Sequence, residues 1–186
     1  MIDHSFWSFQ RAAGAFLVTA ALPLALGLFL FVSRGGVQGG APRSPAFFVW
    51  ERGAILAAVI LTAIGFMLLE GVLHETDGRV LARVGAGAYF FGAVLLVAAE
   101  AQRLPEGGAS YPLIVVYVVL AFLGQAAIGA ALIQTALLPA WIGWTALVWN
   151  IGWLIVLPIL TPGDIYFPVL HHIIPLLIGV PLLWKG

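Results

Sequence analysis

PLIVVYVVLAFLGQAAIGAALIQTALL, residues 112–138, runs for 27 residues without an Asp, Glu, Lys or Arg. A helix crosses a hydrocarbon core of roughly 30 Å with about 20 apolar residues. This stretch meets that length with residues to spare. Its apolar positions are continuous rather than alternating, unlike the strands of a membrane barrel. An open sheet edge would leave backbone groups unpaired in lipid, so a helix is required. The solvent of this segment is a bilayer.

Reading outward, five further stretches qualify: 12–32, 53–73, 80–99, 142–160 and 165–184. Pro23 is expected to kink the first. The second carries Glu70 near its end, and Arg79, Arg83 and Glu100 frame the third. The sequence therefore predicts an all-α integral membrane bundle of six transmembrane helices, forming one domain over 1–186 with both termini on the same side. The first stretch, about 21 residues long, exceeds the 7–15 of a signal-peptide core and no Ala-x-Ala site follows it, so it is read as a retained helix.

The whole chain agrees with its central stretch. Of 186 residues, 62% are apolar and 9% charged, and the mean hydropathy is +1.08. Soluble domains carry about 25% charge. Eight Lys and Arg balance eight Asp and Glu, which argues against a nucleic-acid partner or a polybasic membrane-surface role. The absence of cysteine excludes disulfides, Fe–S clusters, thiolate zinc sites and Cys nucleophiles.

The loop of 33–52 contains Gly35, Gly36, Gly39 and Gly40, but their spacing does not match a phosphate-cradling loop. The 103–110 segment reads as a turn, and Leu138-Pro139-Ala140 as a tight hairpin. Trp7, Trp141, Trp144 and Trp184 are expected at the face of the termini and Trp50 at the other, as interface-seeking rings. Arg11, Arg79, Arg83 and Lys185 on one face balance Arg34, Arg43, Arg52 and Arg103 on the other, so the distribution of positive charge sets no orientation. Ala88 with Gly92, and Ala126 with Ala130, are small residues at the spacing that lets helices approach closely. They fit packing within one bundle, or a homo-oligomer or larger membrane complex.

Polar residues inside a bilayer are costly and therefore informative. Counting along helices at 1.5 Å per residue puts Asn150 and Gln125 near mid-depth. His171 and His172 lie roughly 10 Å in from the face opposite the termini. Glu51, Arg52, Glu100 and Asp164 lie at that face, Glu70 and His74 near the other. The sixth stretch is the most unusual. Pro175 lacks an N–H and its ring opposes the carbonyl four residues earlier, so it frees the His171 carbonyl beside both imidazoles. Irregular backbone at depth is normally tucked into protein or a wet cavity. A ligand or proton pathway is accordingly expected among His171, His172, Asn150, Glu100, Arg52 and Gln125. The structural alternative is that one histidine bonds a neighbouring helix while the other packs.

No metal or cofactor site is expected. Adjacent histidines on a helix point about 100° apart, and Glu70-x-x-x-His74 is not the Glu-x-x-His pattern of di-iron bundles. His74-Glu75-Thr76-Asp77-Gly78 has Gly78 where a zincin needs its second His. His74 and His171 lie towards opposite faces and would not share a haem. No Gly-x-Ser-x-Gly elbow occurs, and Lys185, the single lysine, sits at the extreme end, which excludes a buried retinal Schiff base.

Leu137-Leu138-Pro139-Ala140-Trp141-Ile142-Gly143-Trp144, followed by Trp149-Asn150-x-Gly152-Trp153, resembles a hairpin of uncharacterised bacterial multi-pass membrane proteins. The resemblance covers the last two or three helices. It implies a bacterial cytoplasmic membrane and carries over no catalytic residue.

Three functions fit these residues. One is a binding or accessory component without its own chemistry, its partners being the lipid bilayer and a hydrophobic or small-solute ligand. Another is a small-solute or proton-linked transporter using the kinked sixth helix, although no inverted repeat relates helices 1–3 to 4–6. A third is a membrane-embedded enzyme on a lipid or isoprenoid substrate, with a histidine as acid/base and Glu100 as its partner. No catalytic residue is assigned.

Overall fold

Ser8 and Ser44 start two of the helical rods. The Ser8 hydroxyl accepts from Arg11 N at 3.2 Å, and that of Ser44 from Phe47 N at 3.4 Å with Pro45 just inside the helix. Both are favoured N-terminal arrangements, since each satisfies an amide that has no partner in the first turn. The computed structural model describes residues 8–33, 44–106, 111–135, 137–161 and 166–185, without the side chains of 102–106 and 185. Among them the order is α1 Phe9–Thr19, α2 Ala21–Ser33, α3 Pro45–Leu73, α4 Arg79–Glu106, α5 Tyr111–Gln134, α6 Ala140–Leu160, a 3-10 turn Pro168–His171, and α7 Ile173–Lys185. The protein is all-α.

Five passes are long and apolar enough to cross a membrane: Phe9–Ser33, Pro45–Leu73, Arg79–Ala101, Tyr111–Gln134 and Ala140–Leu160. The C-terminal apolar helix, Pro168–Trp184, is shorter. The expected continuous helix over 165–184 is thus corrected to a 3-10 turn followed by α7. Pro175 explains the break, because it cannot donate to His171 and its ring crowds that carbonyl. Pro23 acts alike on the Thr19 carbonyl, and the first pass breaks at Ala20. The expected helix over 112–138 instead ends at Gln134, since a residue before proline, here Leu138, is pushed out of helical geometry.

α3 starts eight residues earlier than 53, so Glu51 and Arg52 stand within the helix. α4 continues to Glu106, through the first part of the 103–110 segment read as a turn. Trp7, Arg34, Arg43 and Asp164 lie outside the described residues, as do the side chains of Arg103 and Lys185.

Helices α3, α4, α5 and α6 follow one another as antiparallel neighbours. α1 packs on α3, and α7 returns to pack on α1, closing the bundle. A Cβ added at Gly14 would meet Leu183 N at 2.8 Å, and one at Gly179 would meet the Leu17 Cβ at 2.8 Å, so α1 and α7 run antiparallel. The tightest seams are backbone to backbone. A Cβ at Gly85 would meet the Gly124 carbonyl at 2.6 Å, and one at Gly143 the Gly129 carbonyl at 2.7 Å. Such approach is how helices associate where lipid offers no hydrophobic drive. Of the small residues singled out in sequence, Gly92 packs against Tyr117 and Leu120 within the bundle and Ala126 is buried.

Outside, Val84, Phe91, Val148, Ile155 and Ile159 are exposed, together with Trp50, Trp141, Trp144 and Trp184. Inside, alongside Phe66, Phe122 and several alanines, lie Thr62, Gln125, Asn150, His171 and His172. Apolar outside with polar groups within is the distribution a bilayer imposes.

Candidate functional site

The break between α6 and α7 sets the site. The carbonyl of His171 has no backbone donor at position 175, because that residue is proline. Gln125 on α5 supplies the missing bond, its Nε2 donating to the His171 carbonyl at 2.9 Å. One residue earlier, the Leu170 carbonyl accepts from Trp149 Nε1 on α6 at 3.2 Å. His172 Nδ1 lies 2.9 Å from the Pro168 carbonyl, a bond that the tautomer with its proton on Nδ1 makes, since a carbonyl only accepts. The carbonyl of Ala58 on α3 also faces the His172 ring, and Thr62 Oγ1 donates to that same carbonyl at 2.9 Å. Side chains from α5 and α6 thus hold the broken backbone in place.

The His171 ring is fully buried. It packs on Phe122 with centroids 4.2 Å apart and lies 5.4 Å from Tyr117 and 6.3 Å from Tyr166. Neither ring nitrogen has a hydrogen-bond partner among the described residues. Beyond Tyr117, the Tyr89 hydroxyl lies close to those of Tyr117 and Thr62 but meets hydrogen-bond geometry with neither. Gln125 Oε1, Asn150 Oδ1 and His172 Nε2 are likewise buried and unpartnered. Native proteins pair the large majority of such groups, so this concentration sets the region apart from the rest of the bundle.

Gln125 and Asn150 share one level. A Cβ at Gly129 would meet Ala146 at 2.8 Å, and one helical turn along each antiparallel partner from that contact lie residues 125 and 150. Asn150 Nδ2 donates within its own helix to the Ala146 carbonyl at 2.7 Å.

The expected pathway residues fall into two groups. His171, His172 and Gln125 come together around the break, and Asn150 stands level with Gln125 across the α5–α6 seam. Arg52 and Glu100 pair with each other, Nη1 to Oε2 at 2.6 Å, on α3 and α4. By the α4–α5 register that Gly85 and Gly124 fix, Glu100 stands level with the start of α5. That is about 16 Å along the axis from Phe122. Among the described residues, neither histidine pairs with a carboxylate. No family model, curated protein or solved structure matches the chain.

Glu70 and His74 lie at the other end of α3. Arg83 Nε donates to Glu70 Oε1 at 3.2 Å, and its Nη2 lies 3.2 Å from His74 Nδ1. This is an exposed ion-pair network. No group of three or more His, Asp or Glu that could hold a metal occurs among the described residues. An apolar groove of about 320 Å³ between α3 and α4, lined by Ile60, Ile64, Met67, Phe90 and Val94 among others, lies on the outer face.

Sequence reasoning overlooked Thr62, Tyr89 and Tyr117. The available signal was depth. Tyrosine favours the membrane–water interface, yet Tyr89 lies ten residues into α4, about 15 Å from its start.

Proposed function

We propose that the chain is a multi-pass protein of a bacterial cytoplasmic membrane, spanning it six times with both ends on one face. It serves as a binding component without chemistry of its own, taking a small polar group into the bundle at the Tyr89–Tyr117–His171 cluster. The antiparallel pairing of α1 with α7 supports the six-pass topology. The hairpin of residues 137–153, with its resemblance to bacterial multi-pass proteins, supports the setting. A single observation carries the function: a fully buried imidazole with both nitrogens unpartnered, beside two buried hydroxyls in the same condition. The separation of both histidines from Glu100 favours binding over acid/base catalysis, which needs its groups within hydrogen-bond reach. The broken backbone beside His171 also supports a carrier, since carriers place discontinuous helices at their sites; uptake into proteoliposomes separates the two.

The test is thermal unfolding of the purified chain with a soluble short-chain quinone, phosphatidylglycerol or ammonium chloride. A ligand at about 100 times its dissociation constant should raise the midpoint by roughly 5–10 °C. The combined His171→Ala and His172→Ala variant should stay folded and lose that rise. A rise of the same size in the variant removes the histidines from the site.

A further inference from the structure

The unpartnered atoms at the break are unequal in kind, and the imbalance names the chemistry of what they take. Gln125 and Asn150 each donate to a backbone carbonyl, so neither amide can be turned over. Their oxygens, Oε1 and Oδ1, are therefore the atoms left without a partner, and an amide oxygen only accepts. His172 carries its proton on Nδ1 towards Pro168, which leaves Nε2 as an acceptor in the neutral ring. Neutral His171 adds one donor and one acceptor.

Four atoms in this set can thus only accept: Gln125 Oε1, Asn150 Oδ1, His172 Nε2 and one His171 nitrogen. Against them stand three hydrogens, from His171, Tyr89 and Tyr117. A bond from one tyrosine hydroxyl to the other, which their proximity favours, lowers the supply to two. With the His172 proton held on Nδ1 by the Pro168 carbonyl, neither a turn of the hydroxyls nor the other tautomer of His171 removes the deficit. An acceptor such as a quinone carbonyl would deepen it.

We infer that this site takes a small hydrogen-bond donor, of the size of water or an ammonium ion, between the amide oxygens of Gln125 and Asn150 and the imidazoles of His171 and His172. The inference rests on the reading of the cluster as the binding site and adds the ligand's class. Gln125 reaches the backbone of His171 from α5, and Trp149, next to Asn150, reaches that of Leu170 from α6. Asn150 itself joins Gln125 by standing level with it across the contact of Gly129 with Ala146. The Arg52–Glu100 pair stands apart from this site, level with the start of α5.

Two measurements on the full chain test this. The first is a high-resolution structure from ammonium and from potassium buffers, with a density peak expected at about 2.7–3.2 Å from Gln125 Oε1 or Asn150 Oδ1. The second is thermal unfolding in ammonium against potassium chloride at equal concentration. Potassium is a cation of similar size with no hydrogen to donate. Ammonium as occupant predicts a midpoint about 3–6 °C higher at ten times its dissociation constant, lost in Asn150→Leu. Water as occupant predicts the same peak in both buffers, no difference between the salts, and loss of the peak in Asn150→Leu.

Absence of a peak in both buffers, with no ammonium effect, overturns the inference whether or not Asn150→Leu folds. If the quinone still stabilises the chain through His171 and His172 in that case, the binding site stands and only the ligand class is wrong. If nothing stabilises it, both readings fall.

Discussion

Gln125 and Pro175 form one interaction divided between two helices. The proline removes a donor from its own helix, and the glutamine restores it from across the bundle at 2.9 Å. Leaving a buried carbonyl unpaired costs about 1–3 kcal/mol, so Gln125→Leu should lower stability by about that much. In Pro175→Ala the backbone N–H returns, and the same Gln125→Leu change should then cost distinctly less. Unfolding the four proteins of this double-mutant cycle in mixed micelles measures the coupling, and strictly additive losses would show that the two residues act independently. The freed carbonyl was legible in sequence, because proline chemistry is local. Its partner was not. Gln125 stands 46 residues away, and only the folded bundle selects it over the other mid-depth polar residue, Asn150. Tyr89 and Tyr117 escaped notice for a related reason. A tyrosine in an apolar run looks like any aromatic until its hydroxyl is placed.

Helix existence was readable from hydropathy, whereas helix ends and seams depended on interactions that hydropathy does not contain. α3 gains two turns because Ser44 and Pro45 form a sound start, and α5 loses its last turn to Pro139. The seams depend on backbone contact. Gly124 has the Gly85 carbonyl 2.7 Å from where a Cβ would stand and the Tyr89 amide at 2.9 Å, whereas Gly152 has nothing within 4 Å. Gly124→Ala should therefore push α4 from α5 and cost about 1–3 kcal/mol. At Gly152→Ala the same methyl meets open space and should stabilise by up to about 1 kcal/mol through helix propensity. Unfolding midpoints moving in opposite directions are the expected result, and equal losses at both positions would mean that backbone proximity does not govern the α4–α5 seam. Four-residue spacing alone pointed to Gly92 and Ala126, which do lie inside the bundle, but not to Gly85, Gly124, Gly129 or Gly143, where the backbones meet most closely.

At the scale of the whole molecule, the number of crossings turns on the last apolar helix, which is the short one. Its 3-10 turn rises about 2.0 Å per residue and α7 about 1.5 Å, so Pro168–Lys185 reaches roughly 27 Å, against a hydrocarbon core of about 30 Å. The tighter turn lengthens the segment relative to an α-helix of the same residues, and Phe167, extended just before it, supplies the remainder. A sixth crossing is therefore feasible, and the antiparallel seam of Gly14 with Gly179 and Leu183 places the end of α7 beside the start of α1. Positive charge gives no orientation, so the topology needs a direct measurement. The native chain has no cysteine, so each introduced one reports alone. Six crossings predict that Ser8→Cys, Thr76→Cys and Trp184→Cys react with a membrane-impermeant maleimide from one side of sealed vesicles, and Thr161→Cys from the other. Labelling of Trp184→Cys from the side of Thr161→Cys would mean that α7 re-enters rather than crosses. The His171 break would then be the tip of a re-entrant loop, and its access to the aqueous phase would be from the face of Thr161 alone.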